Sequence, residues 1–568
     1  MTLAQIQQNL REKNCDVFLV AHGNHFIGQD VLPQENRILE LTGFDGSDGL
    51  LLITPSQALL FVDGRYELQA ARQIDTKKIG VICAQKKSLL GAACAWLRQN
   101  MPSAFVCANT WHFSVSDHAF LLQMLPNIRF VAAPELAATA PAKVFALPQK
   151  FSGQSFADKK AKLIEMLDRQ GVKAFLCTAA DSVSWLTNLR SDALPETPLL
   201  RAMAIIETNG NCTFFADNIT LFAGCAQTFL PFSKLESCLQ KLSASALGCD
   251  FCRTPQEIAR IAERCKLSLF DLKDPCQELK SRKNPVELRG FQRAHLRDGV
   301  ALCRFMYWLE HRRQPLSECQ IVQKLHRLRQ EQPLFYSESF ATIAGSGENA
   351  AVVHYHPNPQ NDTLLTKNNL LLVDSGAQYF DGTTDVTRTF AIGKPSAAMR
   401  RHYTLVLKAH IALASLTFPQ GVAGSKLDTV CRSVMWRFGL DYAHGTGHGV
   451  GHFLCVHEGP VNFGFRGSSS PVEAGNVMSI EPGYYQAGAY GIRIENLMFV
   501  APCKQENMLK FEFLTLAPLD KRLIDKYLLT GEELDRINRY HRLVCRKILP
   551  HLSVEAERIW LQRACSPL

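Results

Sequence analysis

Residues 373–390 read Val-Asp-Ser-Gly-Ala-Gln-Tyr-Phe-Asp-Gly-Thr-Thr-Asp-Val-Thr-Arg-Thr-Phe, and this stretch decides how the last third of the chain folds. Leu370–Val373 is continuously apolar, as a buried strand is, and Asp374 closes the run. A turn at Asp381-Gly382 brings the chain back, and Asp385 opens a second strand over Val386–Phe390. A hairpin of this length carries Asp374 and Asp385 towards one another. Alone, an Asp-x-Gly beside an Asp-Gly turn is a common structural feature. Its meaning comes from what lies further along.

Three more residues continue the pattern: His448 in His-Gly-Thr-Gly-His-Gly-Val-Gly (444–451), Glu481 in Ser-Ile-Glu-Pro-Gly-Tyr-Tyr (479–485), and Glu495 in Gly-Ile-Arg-Ile-Glu-Asn (491–496). Glu481 follows the apolar run Val477–Ile480 and stands at a strand end. In the strand 491–495, alternation puts Arg493 and Glu495 on one face and Ile492 and Ile494 on the other. An Arg and a Glu turned towards a core commonly form a salt bridge; Arg493 can also orient a ligand carboxylate. Two like charges 4 Å apart repel by about 4 kcal/mol at an effective dielectric of 20. Four converging carboxylates therefore call for cations, and two divalent metals match their charge, which points to a two-metal hydrolase.

The glycine-rich piece 444–451 lacks the Lys-Ser/Thr of a phosphate loop, and Gly445 stands where a zincin helix requires Glu. It reads as a loop whose backbone approaches substrate and metals while its imidazoles point inward. A lone histidine is more often structural, but His444, His448, His452 and His457 fall within fourteen residues.

Towards the N-terminus, Asn284-Pro285-Val286-Glu287 is a helix start, with Asn as N-cap, Pro at the first helical position and Glu at the third. A helix over Val286–His311 is expected, then helices at His402–Leu413 and Leu427–Phe438 alternating with strands near 370–374, 386–390, 477–481 and 491–495. This is an α+β domain, assigned to 284–568. The preceding half repeats itself. Leu3–Val20 reads as amphipathic helix, break, apolar strand, and Ala161–Cys177 reads the same way with a stop at Gly171. Ile38-Leu-Glu-Leu-Thr-Gly-Phe44 is echoed by Val183-Ser-Trp-Leu-Thr-Asn-Leu189. Two related α/β domains, 1–150 and 151–283, follow, with Pro134–Gly153 as a linker.

Composition sets the outer bounds. A chain of 568 residues exceeds one hydrophobic core. The net charge of +9 is spread along it without an arginine-rich tract or zinc-finger spacing, so nucleic acid is not an expected partner. Charged residues interrupt the N-terminal apolar positions, and no apolar run approaches the roughly 20 residues of a membrane span. Nineteen dispersed cysteines, with a single Cys-x-x-Cys at Cys249–Cys252, suit reduced thiols in a cytoplasm.

The five residues, in this order and setting, resemble the pita-bread metallopeptidases, and within them the three-domain cytosolic aminopeptidase P (Xaa-Pro aminopeptidase) family. GFDGSDG (43–49) and DGRYELQAARQ (63–73) match the first creatinase-type domain, and WLTNLR (185–190) the second. KNPVELRGFQRAH (283–295), VVHYHP (352–357), VHEGP (456–460) and the motifs above match the catalytic domain. The resemblance implies two creatinase-type α/β domains followed by a pita-bread α+β catalytic domain. It implies Asp385 and Glu495 bridging two metals, Asp374 completing one, and His448 with Glu481 the other. Glu481, His354, His444, His457 and Arg493 are implied in catalysis, with His354, His457 and Tyr485 around the substrate. His356 and His452 stay unassigned.

The implied reaction is hydrolysis of the bond between an N-terminal residue and a following proline in peptides. It proceeds through a hydroxide bridging two divalent ions, with manganese as the family precedent and cobalt or zinc as alternatives. A homodimer is implied too. Prolidase, which takes Xaa-Pro dipeptides, shares the ligands, but the duplicated first half argues against it. Non-catalytic pita-bread modules that bind proteins have lost ligands, and none of the five is missing here.

Overall fold

The structure, a computed structural model, describes residues 2–84, 87–125, 127–131, 142–312, 314–465 and 468–568. It divides into two compact units: Met1–Leu147 with Gln154–Leu194 and Pro198–Cys276, and Pro148–Gly153 with Pro195–Thr197 and Gln277–Leu568.

The first unit contains two six-stranded sheets. One is built from β1 (Val17–Ala21), β2 (Leu50–Ile53), β3 (Ala58–Val62), β4 (Ile79–Cys83), β5 (Val106–Asn109) and β6 (Ile128–Val131) in the order β4-β3-β2-β1-β5-β6. The other comprises β7 (Ala174–Cys177), β8 (Ala202–Glu207), β9 (Cys212–Ala216), β10 (Phe229–Pro231), β11 (Ala246–Cys249) and β12 (Ser268–Asp271) in the order β10-β9-β8-β7-β11-β12. The two sheets share one wiring. β1 and β7 each pair antiparallel with the next strand of the sheet, which leads through an antiparallel and then a parallel partner, while two parallel strands extend the other side. The echoed motifs also coincide. Arg37–Thr42 and Ala180–Thr187 are helices, each closed by a left-handed residue, Gly43 and Asn188. Gly meets that conformation without strain, and Asn is among the few side chains that tolerate it.

Two expectations need correction here. Part of the expected linker Pro134–Gly153, residues 134–141, lies outside the described residues; its remainder carries regular structure, with Val144–Ala146 paired to Leu189–Ser191 and Gln149–Ser152 helical. Nor are all thiols reduced: Cys15 and Cys107 form a disulfide, and the other described cysteines form none. Cys107 lies on β5 directly beside β1, the strand that Cys15 introduces, so strand pairing itself brings the two together.

In the second unit the helix Pro285–Glu310 begins with the expected capping box. Asn284 Oδ1 accepts from the amides of Val286 and Glu287, and Glu287 Oε2 accepts from the Asn284 amide. This helix and the helices Glu318–Gln330, Ala397–Ala414 and Gly424–Trp436 contribute to one apolar core with the strands that carry or adjoin the candidate carboxylates. β13 (Asn369–Ser375) pairs antiparallel with Ile343–Ser346 on one side and with β14 (Val386–Ile392) on the other. A six-stranded sheet orders Thr417–Pro419, Met508–Phe513, Asn496–Pro502, Val477–Ile480, Gly447–Gly449 and Glu458–Phe463. Leu370, Leu371, Met478 and Ile480 are essentially inaccessible, each such side chain contributing about 1.5–3 kcal/mol by burial.

The glycine-rich piece differs from its expectation as a loop, because Gly447–Gly449 is a strand. A Cβ at Gly447 would stand 2.0 Å from the Ser479 carbonyl oxygen, so the glycine serves close strand packing. The strand expected over 491–495 also stops early. Tyr490–Arg493 pairs with Gly483–Gln486, and after Ile494–Glu495 a new strand begins at Asn496 in a different sheet. A Cβ at Gly491 would fall 1.7 Å from the Ala350 carbonyl oxygen. Gly491→Ala is therefore expected to destabilise the protein by about 1–3 kcal/mol or more through overpacking against rigid backbone. Urea unfolding measures this, and an unchanged midpoint would show that the two segments do not abut.

Candidate metal centre

The four candidate carboxylates sit at or beside the ends of regular elements, and His448 is the middle residue of the strand Gly447–Gly449. Asp374 is the penultimate residue of β13, paired with Thr387 and Ile343. Asp385 precedes β14, Glu481 follows Val477–Ile480, and Glu495 falls in the two-residue break before Asn496. Strand ends can turn polar side chains out of a sheet whose middle must stay apolar.

The structure brings these residues together. His448 Nε2 lies 3.4 Å from Asp385 Oδ2 and 3.4 Å from Glu481 Oε1. One ligand atom from each of Asp385, His448 and Glu495 falls within 4.8 Å of the others, a set able to hold a metal ion. His448 Nδ1 is 2.9 Å from the Gly449 carbonyl oxygen. Nδ1 is therefore a donor, and Nε2 is aimed at two carboxylates, as the ligating nitrogen of a metal-bound imidazole is. In the neutral ring, a lone pair facing carboxylates is repulsive unless a cation lies among them.

Hydrogen bonds hold the carboxylates in place. Thr387 Oγ1 donates to Glu495 Oε2 at 2.8 Å, and Ser479 Oγ donates to Glu481 Oε1 at 3.2 Å. Arg493 Nη2 donates to Asp374 Oδ2 at 2.6 Å. The other oxygen of Asp374, Oδ1, is buried without a hydrogen-bond partner among the described residues. An orphaned buried carboxylate oxygen costs about 1–3 kcal/mol or more, and it fits a position completed by a metal. Burial raises the Asp385 and Glu495 carboxyls well above the carboxylate range, and the charges on their acidic neighbours push the same way. Burial also raises Glu481, against the lowering influence of His448 and Arg493. Oxygen donors, one imidazole and excess buried negative charge fit a pair of divalent ions.

A second line of contacts runs from Asp374. Arg493 Nη1 donates to the Tyr485 hydroxyl at 2.6 Å, and that hydroxyl lies 2.8 Å from His444 Nε2. His444 Nδ1 is engaged at 2.7 Å by the Gly445 carbonyl oxygen, so Tyr485 donates to Nε2. Burial raises the Tyr485 phenol to about 12 despite Arg493. His457 is exposed and its ring stands perpendicular to that of His448, centroids 4.4 Å apart. His354 is half-buried and follows Val353, whose carbonyl accepts from Arg493 Nη2 at 3.3 Å. His452 is buried, with Nε2 3.0 Å from the Asp381 carbonyl oxygen and its ring edge-on to Phe291, a structural placement. The His356 carbonyl accepts from Asn361.

Several supporting residues are absent from the sequence reading. Thr387 carries both Glu495 and Arg493 Nε, and its position two residues after Asp385 on the same strand face was the available signal. Asp428 and Arg432 hold the 444–446 segment through Thr446 Oγ1 at 2.5 Å and the His444 carbonyl at 2.6 Å. Lys280 and Lys283 both pair with buried Glu458, next to His457. These pairings are too distant in sequence for any local pattern to show.

With this geometry in view, the comparisons with known proteins divide the chain consistently. Residues 289–502 match the model of metallopeptidase family M24, and 507–568 that of its C-terminal region. Residues 3–140 and 135–287 each match the creatinase/prolidase N-terminal domain. The chain belongs to the M24 metallopeptidases of the Xaa-Pro aminopeptidase P type, with two creatinase-type α/β domains and a pita-bread α+β domain. More particularly, it is 34% identical to a probable Xaa-Pro aminopeptidase P from Laccaria bicolor, over all of this chain and 93% of that one. Its structure is similar to a crystal structure of X-prolyl aminopeptidase from Caenorhabditis elegans, described as a cytosolic enzyme with a di-nuclear active site. The TM-score is 0.90 and the identity 30%, over 98% of this chain and 95% of that one. A dipeptidase from Pyrococcus horikoshii matches with a TM-score of 0.52 and 26% identity, over 64% of this chain and 99% of its own.

The raised carboxyls give a signed prediction. A folded-state value above the unfolded one, which is about 4, stabilises the fold at low pH and loses that contribution as pH rises. Metal-stripped protein should therefore melt at progressively lower temperature from about pH 5 to pH 8. Added divalent metal should raise the melting temperature most at the upper end, since it replaces protons among the carboxylates. Scanning fluorimetry with and without chelator reads both effects. A metal-dependent gap that does not widen with pH would contradict converging carboxylates.

Proposed function

We propose that this chain is a dinuclear-metal aminopeptidase that hydrolyses the bond between an N-terminal residue and a following proline. The observation that carries the proposal is the convergence of Asp374, Asp385, His448, Glu481 and Glu495, with Asp374 Oδ1 left for a cation. The full-length likeness to Xaa-Pro aminopeptidases supports the substrate class, whereas the dipeptidase likeness covers only 64% of this chain.

In this reading Asp385 and Glu495 would be the ligands shared by two ions, with Asp374 serving one and His448 and Glu481 the other. When bound, the ions would lower the pKa of water and polarise the scissile carbonyl. Glu481, held by Ser479, takes the proton of the attacking water. His457, exposed beside His448, donates to the developing oxyanion. Proline's amide nitrogen has no hydrogen and its ring fixes φ, so a site shaped to that ring accepts what general peptidases reject. The leaving nitrogen still requires a proton, supplied by His354 or by His444, which Tyr485 and Arg493 hold on a line to Asp374. Tyr485, His354 and His457 border the substrate.

The proposal extends to manganese, a cytoplasmic location and a homodimer. An oxygen-rich donor set with one imidazole supports a hard or borderline ion, with cobalt and zinc as alternatives. The cytosolic C. elegans relative and the many free thiols support the compartment. No helix among the described residues is long and apolar enough to cross a membrane.

Purified protein loaded with Mn2+ is expected to release the first residue from Arg-Pro-Pro and to leave the dipeptide Arg-Pro uncut. Cleavage of the dipeptide alone would make the chain a prolidase, and cleavage of neither would remove the enzymatic reading. Glu481→Gln should lower kcat by about 10²–10⁴-fold, the range of a lost general base, as read in the same assay. Retention of full activity would exclude Glu481 as base.

A further inference from the structure

An open-sided cavity of about 350 Å³ lies in the second unit, bordered by the helices Ala397–Ala414 and Gly531–Ile548 and the strand Met508–Phe513. Its size is at the lower end of the roughly 300–1,000 Å³ typical of small-molecule sites. Leu407, Ile411, Phe511, Phe513, Ile537 and Leu543 make its walls apolar. None of the five candidate metal ligands lines it. Lys510, Arg536 and Arg539 do, and no carboxylate does. The acids these cations touch, Glu512, Glu532 and Asp535, form exposed ion pairs. Such pairs are worth about 0–1 kcal/mol and exchange readily for another anion.

Two buried polar side chains also face this space, His410 and Asn496, with Asn496 Nδ2 3.1 Å from His410 Nε2. Burial pushes the His410 imidazole down to about 3, so it is neutral and accepts from Asn496. Asn496 directly follows Glu495, and successive residues of extended chain face opposite ways. Its Oδ1 accepts from Arg388 Nη2 at 2.8 Å, and Arg388 Nη1 donates to the Glu495 carbonyl at 2.7 Å. Tyr540, another wall residue, bonds the same Arg388 and Asn496 atoms at 2.8 and 3.2 Å. A molecule resting on Asn496 and Tyr540 thus touches the residues that fix the Glu495 backbone.

We propose that this cavity binds an amphiphilic monoanion, a medium-chain carboxylate, with its chain between the apolar walls and its head at Lys510, Arg536 and Arg539. Occupancy shifts the Arg388–Asn496 contacts and thereby changes the rate at the carboxylate cluster. The binding half stands on the cavity alone; the rate half rests on the hydrolytic reading above.

The test uses the full chain loaded with Mn2+. Titration with 8-anilinonaphthalene-1-sulfonate should give saturable fluorescence at one site, displaced by decanoate. Arg536→Glu with Arg539→Glu should weaken decanoate about tenfold, the equivalent of ~1.4 kcal/mol. Leu543→Trp, which fills the cavity, should abolish binding; circular dichroism melts check that both variants fold. Saturating decanoate should change the rate of Arg-Pro-Pro cleavage at least about twofold, and the change should vanish in Leu543→Trp. No saturable binding, or binding indifferent to both variants, overturns the site. Binding with an unchanged cleavage rate overturns the coupling. Binding in a protein that cleaves no peptide leaves the cavity standing and refutes the hydrolytic reading instead.

Discussion

Mutual repulsion among Asp374, Asp385, Glu481 and Glu495 is the constraint around which the second unit is organised. Arg493 answers one of the four charges, through Asp374 Oδ2, and leaves the other oxygen of that carboxylate without a hydrogen-bond partner among the described residues. His448 aims its Nε2 at two of the carboxylates, with its Nδ1 engaged by the Gly449 carbonyl. Thr387 and Ser479 each give one hydrogen bond to Glu495 and Glu481, and divalent cations among the four carboxylates would balance the charge that these bonds and Arg493 leave. Burial makes the requirement stricter, since a charge in low dielectric is costly unless paired.

The fold meets that requirement by assembling the candidate ligands from separate sheets. Asp374 and Asp385 come from one hairpin, while His448, Glu481 and Glu495 adjoin strands of the six-stranded sheet. Arg388 joins the two. It is buried and bonds the carbonyls of Thr387, Glu495, Ala517 and Pro518 as well as Asn496 and Tyr540. A network satisfied at so many points rigidifies its surroundings, which a metal site needs if its ligands are to hold their geometry. The pairing of Lys280 and Lys283 with Glu458 plays a comparable part beside His457, where breaking one partner would leave buried charge uncompensated.

How much of this was legible beforehand follows the range of the interactions. The helix start at Asn284 depends on three residues and was fully readable. The duplicated first half showed itself through amphipathic helices, apolar strands and the paired Thr-Gly and Thr-Asn stops, all local signals. Asp374, Asp385 and Glu481 stood out because each closes or opens an apolar run. The glycines of 444–451 misled in one respect. They suggested a loop, whereas Gly447 is small because a neighbouring strand passes against it. The break at Ile494–Glu495 was hidden because the alternation of 491–495 looks like one strand, and only the change of sheet partner reveals two. Arg388 and the lysines of the Glu458 cluster act across scores of residues, and pattern within a window cannot report such contacts.

The candidate site calls for a pair of cations between Asp385 and Glu495. Anomalous diffraction from crystals grown with Mn2+, recorded above and below the manganese absorption edge, addresses it directly. Two edge-dependent peaks are expected, both between those carboxylates, one bordered by Asp374 and the other by His448 and Glu481. Peaks elsewhere on the molecule, or an empty carboxylate cluster in protein that still cleaves Xaa-Pro peptides, would contradict it.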